Sequence, residues 1–216
     1  SQDGEMIDAL RRGDDPHTKT AQMMFGTRWD AASVKEQDSF RSIAKNCNYL
    51  MGYGGGADKL VRTSGYAFSL ATAEGYISRF RDANPALLRY WAQLLSDGRR
   101  DGYVESILGR RRYLPQLNSE DRKLRSRAER MAINAPMQMT SADLTKLALR
   151  RSWELLPPNT LNNTVHDEED GDTDLTETKL RGILEEAMIT YPTPLLKMSV
   201  PIRVEIKVGS SWGACE

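Results

Sequence analysis

The stretch Arg41-Ser42-Ile43-Ala44-Lys45-Asn46-Cys47-Asn48-Tyr49-Leu50-Met51-Gly52-Tyr53-Gly54 decides how the rest of the chain is read. Upstream of it, Ser33 and Glu36 have the S-x-x-E spacing of a capping box, which predicts a helix starting at Ser33. That helix reaches Tyr53, where Gly54, Gly55 and Gly56 stop it, glycine being the usual C-terminal terminator. Along it Arg41, Lys45, Tyr49 and Tyr53 recur every four residues. Such positions share one helix face, drifting about 40° per step. Two cations followed by two phenols would suit a nucleotide: the cations meet phosphates and a ring stacks on base or sugar. The same spacing fits a solvated charged face grading into core aromatics, and spacing alone favours that plainer reading.

Two more constellations lie downstream. His166-Asp167-Glu168 follows a weak strand candidate, Leu161 to His166. Adjacent carboxylates at a strand end suit Mg²⁺, which takes oxygen ligands and keeps waters. Asp170, Asp172 and Asp174 support the plainer reading, an acidic loop. Arg130, Asn134 and Gln138 put a guanidinium and two amides at four-residue spacing. Such groups can donate to minor-groove acceptors, which occur in every base pair and so report duplex geometry rather than sequence. Taken by itself this segment is read more readily as a helix with a capped, proline-broken end. His17 in isolation reads as structural or exposed.

Around these the chain is helical at first and mixed later. A second helical segment covers about residues 73–100, broken at Asn84-Pro85. Tyr103, Val104, Ile107 and Leu108 suggest a short extended piece around a turn at Gly109. Residues 120–134 read as helix, interrupted at Pro136, and another helix runs from about Ser141 to Leu156. A helix over 175–190 is followed by a strand with the alternation Val200, Ile202, Val204, Ile206, Val208. The boundary falls near residue 118.

Thirty basic residues balance thirty acidic ones among 216, yet the charges are segregated. Arg99 to Arg130 holds ten Arg or Lys against five Asp or Glu, while Asp167 to Glu177 holds seven acids and no Lys or Arg. The first region can face phosphates, and local fields steer ligands whatever the net charge. The charged share of 28% excludes a membrane composition, and no apolar run approaches the roughly 18 residues a span needs. Cys47 and Cys215 have no metal-ligand spacing and read as reduced thiols of a cytoplasmic protein.

Taken together, the blocks resemble family A DNA polymerases, the bacterial DNA polymerase I type. Arg41 through Gly54 resembles motif B, R-x3-K-x3-[FY]-x3-Y-G. Gly109-Arg110-Arg111-Arg112-Tyr113-Leu114-Pro115 is similar to the G-R-R-R-Y-x-P turn, and Ala128 through Gln138 to A-E-R-x-A-x-N-x-P-x-Q. Val165-His166-Asp167-Glu168 resembles motif C, and Gly13-Asp14-Asp15-Pro16-His17 the G-x-D-x-H stretch. The blocks keep the family's order over nearly the whole chain.

The resemblance implies an α+β fold: a mostly helical fingers subdomain over residues 1–118, with a palm connection at its start, then the C-terminal part of a palm with a small antiparallel sheet over 119–216. It implies a DNA-directed DNA polymerase, a nucleotidyltransferase of replication and repair. Its partners would be primer-template DNA and dNTPs, with no membrane partner and room for a processivity factor; its cofactor would be Mg²⁺, two ions in the complete enzyme. Carried over by residue, His17, Arg41, Lys45, Tyr49 and Tyr53 bind the incoming dNTP. Arg130, Asn134, Gln138 and His166 touch DNA. Asp167 is the metal ligand, and Asp167, Glu168 and Lys45 are the catalytic group. Tyr49, where many members have Phe, implies weak rejection of dideoxynucleotides.

The chain departs from the family in places. Motif A, D-Y-S-Q-x-E-L-R, would lie ahead of Ser1, and Ser1-Gln2-Asp3 resembles the end of that region. With one metal carboxylate, these residues alone are expected to be an inactive fragment. Met139 stands where Gly is usual, and Glu169-Asp170-Gly171-Asp172 replaces an apolar strand, so the hairpin carrying Asp167 should be short. The rivals are a single-subunit RNA polymerase and a non-catalytic nucleic-acid-binding remnant of the fold.

Overall fold

In the computed structural model, residues 4–215 are described, so Ser1-Gln2-Asp3 lies outside the described residues. Helices dominate: α1 Gly4–Arg12, α2 Pro16–Phe25, α3 Thr27–Asp30, α4 Val34–Gly52, α5 Ala57–Thr63, α6 Leu70–Ala83 and α7 Pro85–Asp101. A hairpin of β1 Tyr103–Glu105 and β2 Arg111–Tyr113 leads to the long α8, Arg122–Leu155. A second hairpin pairs β3 Leu161–Val165 with β4 Glu168–Gly171, and α9 Glu177–Glu185 and α10 Pro192–Leu196 follow. Both sheets are two-stranded and antiparallel. The architecture is the mostly helical α+β class expected.

The chain forms two compact units, Ser1–Glu105 with Arg111–Pro136, and Ser106–Arg110 with Met137–Glu216. In the first, α2, α4, α5 and α6 share a core of Ala21, Met24, Phe25, Ala44, Cys47, Leu50, Met51, Leu60, Ile77 and Phe80. Phe25 and Phe40 stack at 4.2 Å between centroids. On α4 the core stripe Ala44, Cys47 and Met51 lies beside the Arg41, Lys45, Tyr49 stripe, so one helix packs and presents at once.

Both ends of α4 follow from local rules. The Ser33 N–H donates to Glu36 Oε2 at 2.8 Å, and the Ser33 hydroxyl to the same oxygen at 2.6 Å. At the other end Gly55 N–H donates to Leu50 O at 2.8 Å and Gly54 N–H to Met51 O at 3.0 Å. This is a Schellman closure with Gly54 left-handed at φ +65°. A Cβ on Gly54 would sit 2.5 Å from Arg130 Cγ, so conformation and close approach both require glycine.

In the second unit, Arg110 donates to Met139 O at 2.7 Å and pairs with Asp143 at 2.8 Å, tying the Gly109 turn to α8. The hairpin joins Val165 to Glu168 through His166 and Asp167, with a register irregularity between Leu161 and Asn163. Its strands have five and four residues, short as expected.

Two expectations are corrected. Pro136 does not interrupt the helix; α8 is continuous through it. An interior proline forfeits the hydrogen bond to the carbonyl four residues back and crowds it, at about 3 kcal/mol or more. Against that cost stands burial of Ala128, Ala132, Ala135 and Pro136 itself. Residues 200–208 form no strand. The alternation is real: Ile202, Val204 and Ile206 are half-buried while Arg203, Glu205 and Lys207 are exposed. A strand also needs a neighbour's N–H and C=O groups, and no ladder forms there among the described residues.

Candidate active site

The first unit brings together, from two helices, residues expected to bind a nucleotide. Arg41, Lys45 and Tyr49 come from α4, and His17 from the first turn of α2. Tyr49 and Tyr53 are 55% and 46% exposed, so the phenols are not core aromatics. The His17 and Tyr49 rings lie 5.6 Å apart at 47°. Burial lowers the His17 pKa from the usual 6.5; Arg41 and Lys45 push the same way and Asp15 opposes them. His17 is therefore biased toward the neutral imidazole beside two cations.

Asp15, which the sequence reading did not single out, organises this cluster. It caps α2, accepting from Thr18 N–H at 2.8 Å, with Pro16 at the first helical position. Arg41 grips it with one edge of the guanidinium, donating from Nε to Oδ2 at 2.8 Å and from Nη2 to Oδ1 at 3.1 Å. The Arg41 hydrogen bond holds the Asp15 carboxyl far below the usual carboxylate range. A lowered carboxylate pKa gives stability that is complete above the ordinary value of 3.8 and is lost as pH falls toward the native value. Asp15→Asn keeps the cap and removes the charge. It is expected to lower stability by about 0.5–1 kcal/mol at pH 7, since the pair is partly solvated, with the gap closing in acid. Urea unfolding of both proteins at pH 7 and pH 3 checks this.

Arg130 packs its stem against Gly54 and donates from Nη1 to Ser126 Oγ at 2.8 Å. It thus lies beside the Tyr53 end of α4. Asn134 follows one turn later, its Oδ1 buried and without a hydrogen-bond partner among the described residues. Gln138, the third of that series, is exposed and belongs to the second unit.

His166 and Asp167 form the two-residue turn of the second hairpin, and Glu168 opens β4. All three are exposed. His166 adopts φ +56°, a region non-glycine residues rarely enter, and strain of this kind concentrates at functional turns. Glu169 points inward, and burial raises its carboxyl pKa while the Ser152 side chain pulls the other way. Among the described residues no three His, Cys, Asp or Glu side chains converge into a metal cage. The donors present, two exposed carboxylates at one turn, still fit Mg²⁺. That ion uses one or two carboxylates and completes its shell with water and substrate phosphate.

Residues 1–214 match the family model described as DNA polymerase family A. The chain belongs to that family. It is 37% identical to the thermostable DNA polymerase I of Thermus filiformis over 98% of its own length and 25% of that protein's. It is 32% identical to DNA polymerase I of Treponema pallidum, covering 99% of this chain and 21% of that one. The chain thus spans about a quarter of the length of these relatives. Among solved structures it is similar to the POL domain of Pol1 from M. smegmatis in complex with DNA primer-template and dNTP. The TM-score is 0.82 at 30% identity, over 99% of this chain and 37% of that one. Among the described residues no helix is long and apolar enough to cross a membrane.

In this family A chain, then, His17, Arg41, Lys45 and Tyr49 adjoin, and Arg130 meets the end of their helix. His166, Asp167 and Glu168 share one turn. Asn48 was also missed: its amide lies 3.1 Å from both His17 Nδ1 and Thr20 Oγ1. The available signals were the Asp15-Pro16 pair, a helix-start signature, and an asparagine beside Tyr49 in mid-helix.

Proposed function

We propose that this chain is the fingers, residues 1–118, and the C-terminal palm, residues 119–216, of a DNA-directed DNA polymerase. The complete enzyme would add dNTPs to a primer 3′-hydroxyl by two-metal phosphoryl transfer. The observation that carries the reading is the convergence of His17, Arg41 and Lys45 beside the exposed ring of Tyr49. Phosphoryl transfer needs positioning and charge neutralisation more than covalent help, and these residues supply both. Lys45 and Arg41 take the triphosphate charge, and Tyr49 bears on sugar and base. Tyr53 lies toward the templating base, and Arg130, Asn134, Gln138 and His166 line the duplex.

Asp167, supported by Glu168, supplies the hard oxygens for Mg²⁺; the second metal carboxylate is assigned to motif A, which is not among these 216 residues. Bound Mg²⁺ would make the primer hydroxyl more acidic and stabilise charge on the leaving pyrophosphate. With a single carboxylate of the pair, these residues alone are expected to be inactive in templated extension.

Binding tests the reading. Affinity of the chain is expected to fall stepwise from dNTP to dNDP to dNMP, measured by calorimetry with Mg²⁺ at fixed salt. Salt-sensitive DNA binding with no difference among the three nucleotides would instead support a binding remnant. Tyr49 gives a second check. The complete polymerase should incorporate dideoxynucleotides readily, and Tyr49→Phe should reduce this by roughly 10–100-fold, the worth of one hydrogen bond to a charged group. A competition assay that finds strong discrimination in the unaltered enzyme would contradict it.

A further inference from the structure

Behind His17 lies a hydrogen-bond chain that the dNTP reading does not use. Thr20 is fully buried, and its Oγ1 lies 2.8 Å from Pro16 O. A hydroxyl has one proton, and the shortest acceptor available to it is that carbonyl. Thr20 Oγ1 then receives from Asn48 Nδ2 at 3.1 Å. The opposite arrangement, Thr20 donating to Asn48 Oδ1, spans 3.4 Å and is the poorer bond. The Asn48 amide nitrogen is thus fixed toward Thr20, and it lies 3.1 Å from His17 Nδ1. An amide N–H can meet a ring nitrogen only as an acceptor, so Nδ1 is bare and the ring proton sits on Nε2.

We infer that Asn48 is a positioning residue that fixes His17 in the Nε2–H tautomer, so that one ring N–H, in one orientation, is offered to a phosphate oxygen. What that N–H meets rests on the proposed dNTP site; the tautomer rests on the protein's own contacts. The charged and polar groups facing the ring are Asp15 at the α2 N-cap, and Arg41, Lys45 and the Tyr49 ring on α4. Burial opposes the imidazolium most, Asp15 favours it, and Arg41, itself bonded to Asp15, opposes it together with Lys45. A neutral donor fits such a site: it directs the phosphate without adding a third cation that must be desolvated.

The chain has two histidines, His17 and the exposed His166, so the test is direct. The protein is labelled with ¹⁵N at histidine and its long-range ¹H–¹⁵N spectrum recorded across pH 5–9. His17 is expected to show a protonated Nε2 and a bare Nδ1 above its titration midpoint, with the exposed His166 supplying the second set of signals. Asn48→Leu removes the donor and should give His17 a mixed tautomer population. Asn48→Asp puts an acceptor there and should move the His17 midpoint up by about one pH unit or more. A proton on Nδ1 in the unaltered protein overturns the inference without need of any variant. So does an unchanged His17 tautomer in a folded Asn48→Leu protein. Addition of dNTP separates the two claims: a correct tautomer with no response at Nε2 would overturn the nucleotide reading and leave the Asn48 assignment standing.

Discussion

Lys45→Ala in the complete polymerase is expected to cut nucleotide incorporation by about a hundred- to a thousandfold, the usual effect of removing one preorganised group aimed at developing charge. The neighbouring cation explains why the loss concentrates at Lys45. Arg41 is held in a two-point grip by Asp15, so an arriving phosphate must replace one anionic partner with another. Lys45 is exposed and makes no ion pair among the described residues, so its charge is unshared. The same exposure predicts that folding is untouched, within about 0.5 kcal/mol. Single-turnover kinetics paired with thermal unfolding separate the two. Lys45→Arg should recover only part of the rate, because a planar fork does not reproduce a compact ammonium. Activity of the alanine variant within threefold of normal would remove Lys45 from the triphosphate site.

Asp167→Asn should be more severe, at about a thousandfold or more in kcat, with primer-template affinity within a few-fold. A metal centre contributes several kcal/mol to the transition state, and each 1.36 kcal/mol is about tenfold in rate. Asparagine keeps the shape of the turn residue and loses the anion. Because Asp167 is exposed in a two-residue turn, unfolding should not change. Asp174→Asn is the control: it is exposed in the same acidic run, three residues past the end of β4, and should cost less than about threefold. Equal losses from both would mean that the acidic run acts as a diffuse field and that Asp167 is no ligand.

Much of this was legible in the sequence because it is local. The Ser33–Glu36 cap and the Gly54 stop each follow from a few neighbouring residues, whereas His166, read as the end of a strand, stands in the turn. The four-residue spacing placed Arg41, Lys45 and Tyr49 on one unburied face of α4, as the structure has them. The Asp15–Arg41 pair was not legible, because its partners are 26 residues apart and meet only when α2 packs on α4. Asn48 was hidden for the same reason: in a helix interior it reads as a weak helix former, and its partners come from another helix. Pro136 shows a local rule overridden by burial. Residues 200–208 show the converse, a period that reports which side is covered but cannot supply the partner a strand requires.

The closure at Gly54 has a consequence for heredity. Any other residue there meets both a strained backbone angle and the stem of Arg130, so a change at 54 is not fully absorbed by repacking one side chain. Shortening the side chain at 130 would give room at 54 but not backbone freedom, so glycine would still be favoured there. In a library randomised over residues 41–54, Lys45 would be lost for want of activity, whereas Gly54 would be depleted for want of stability.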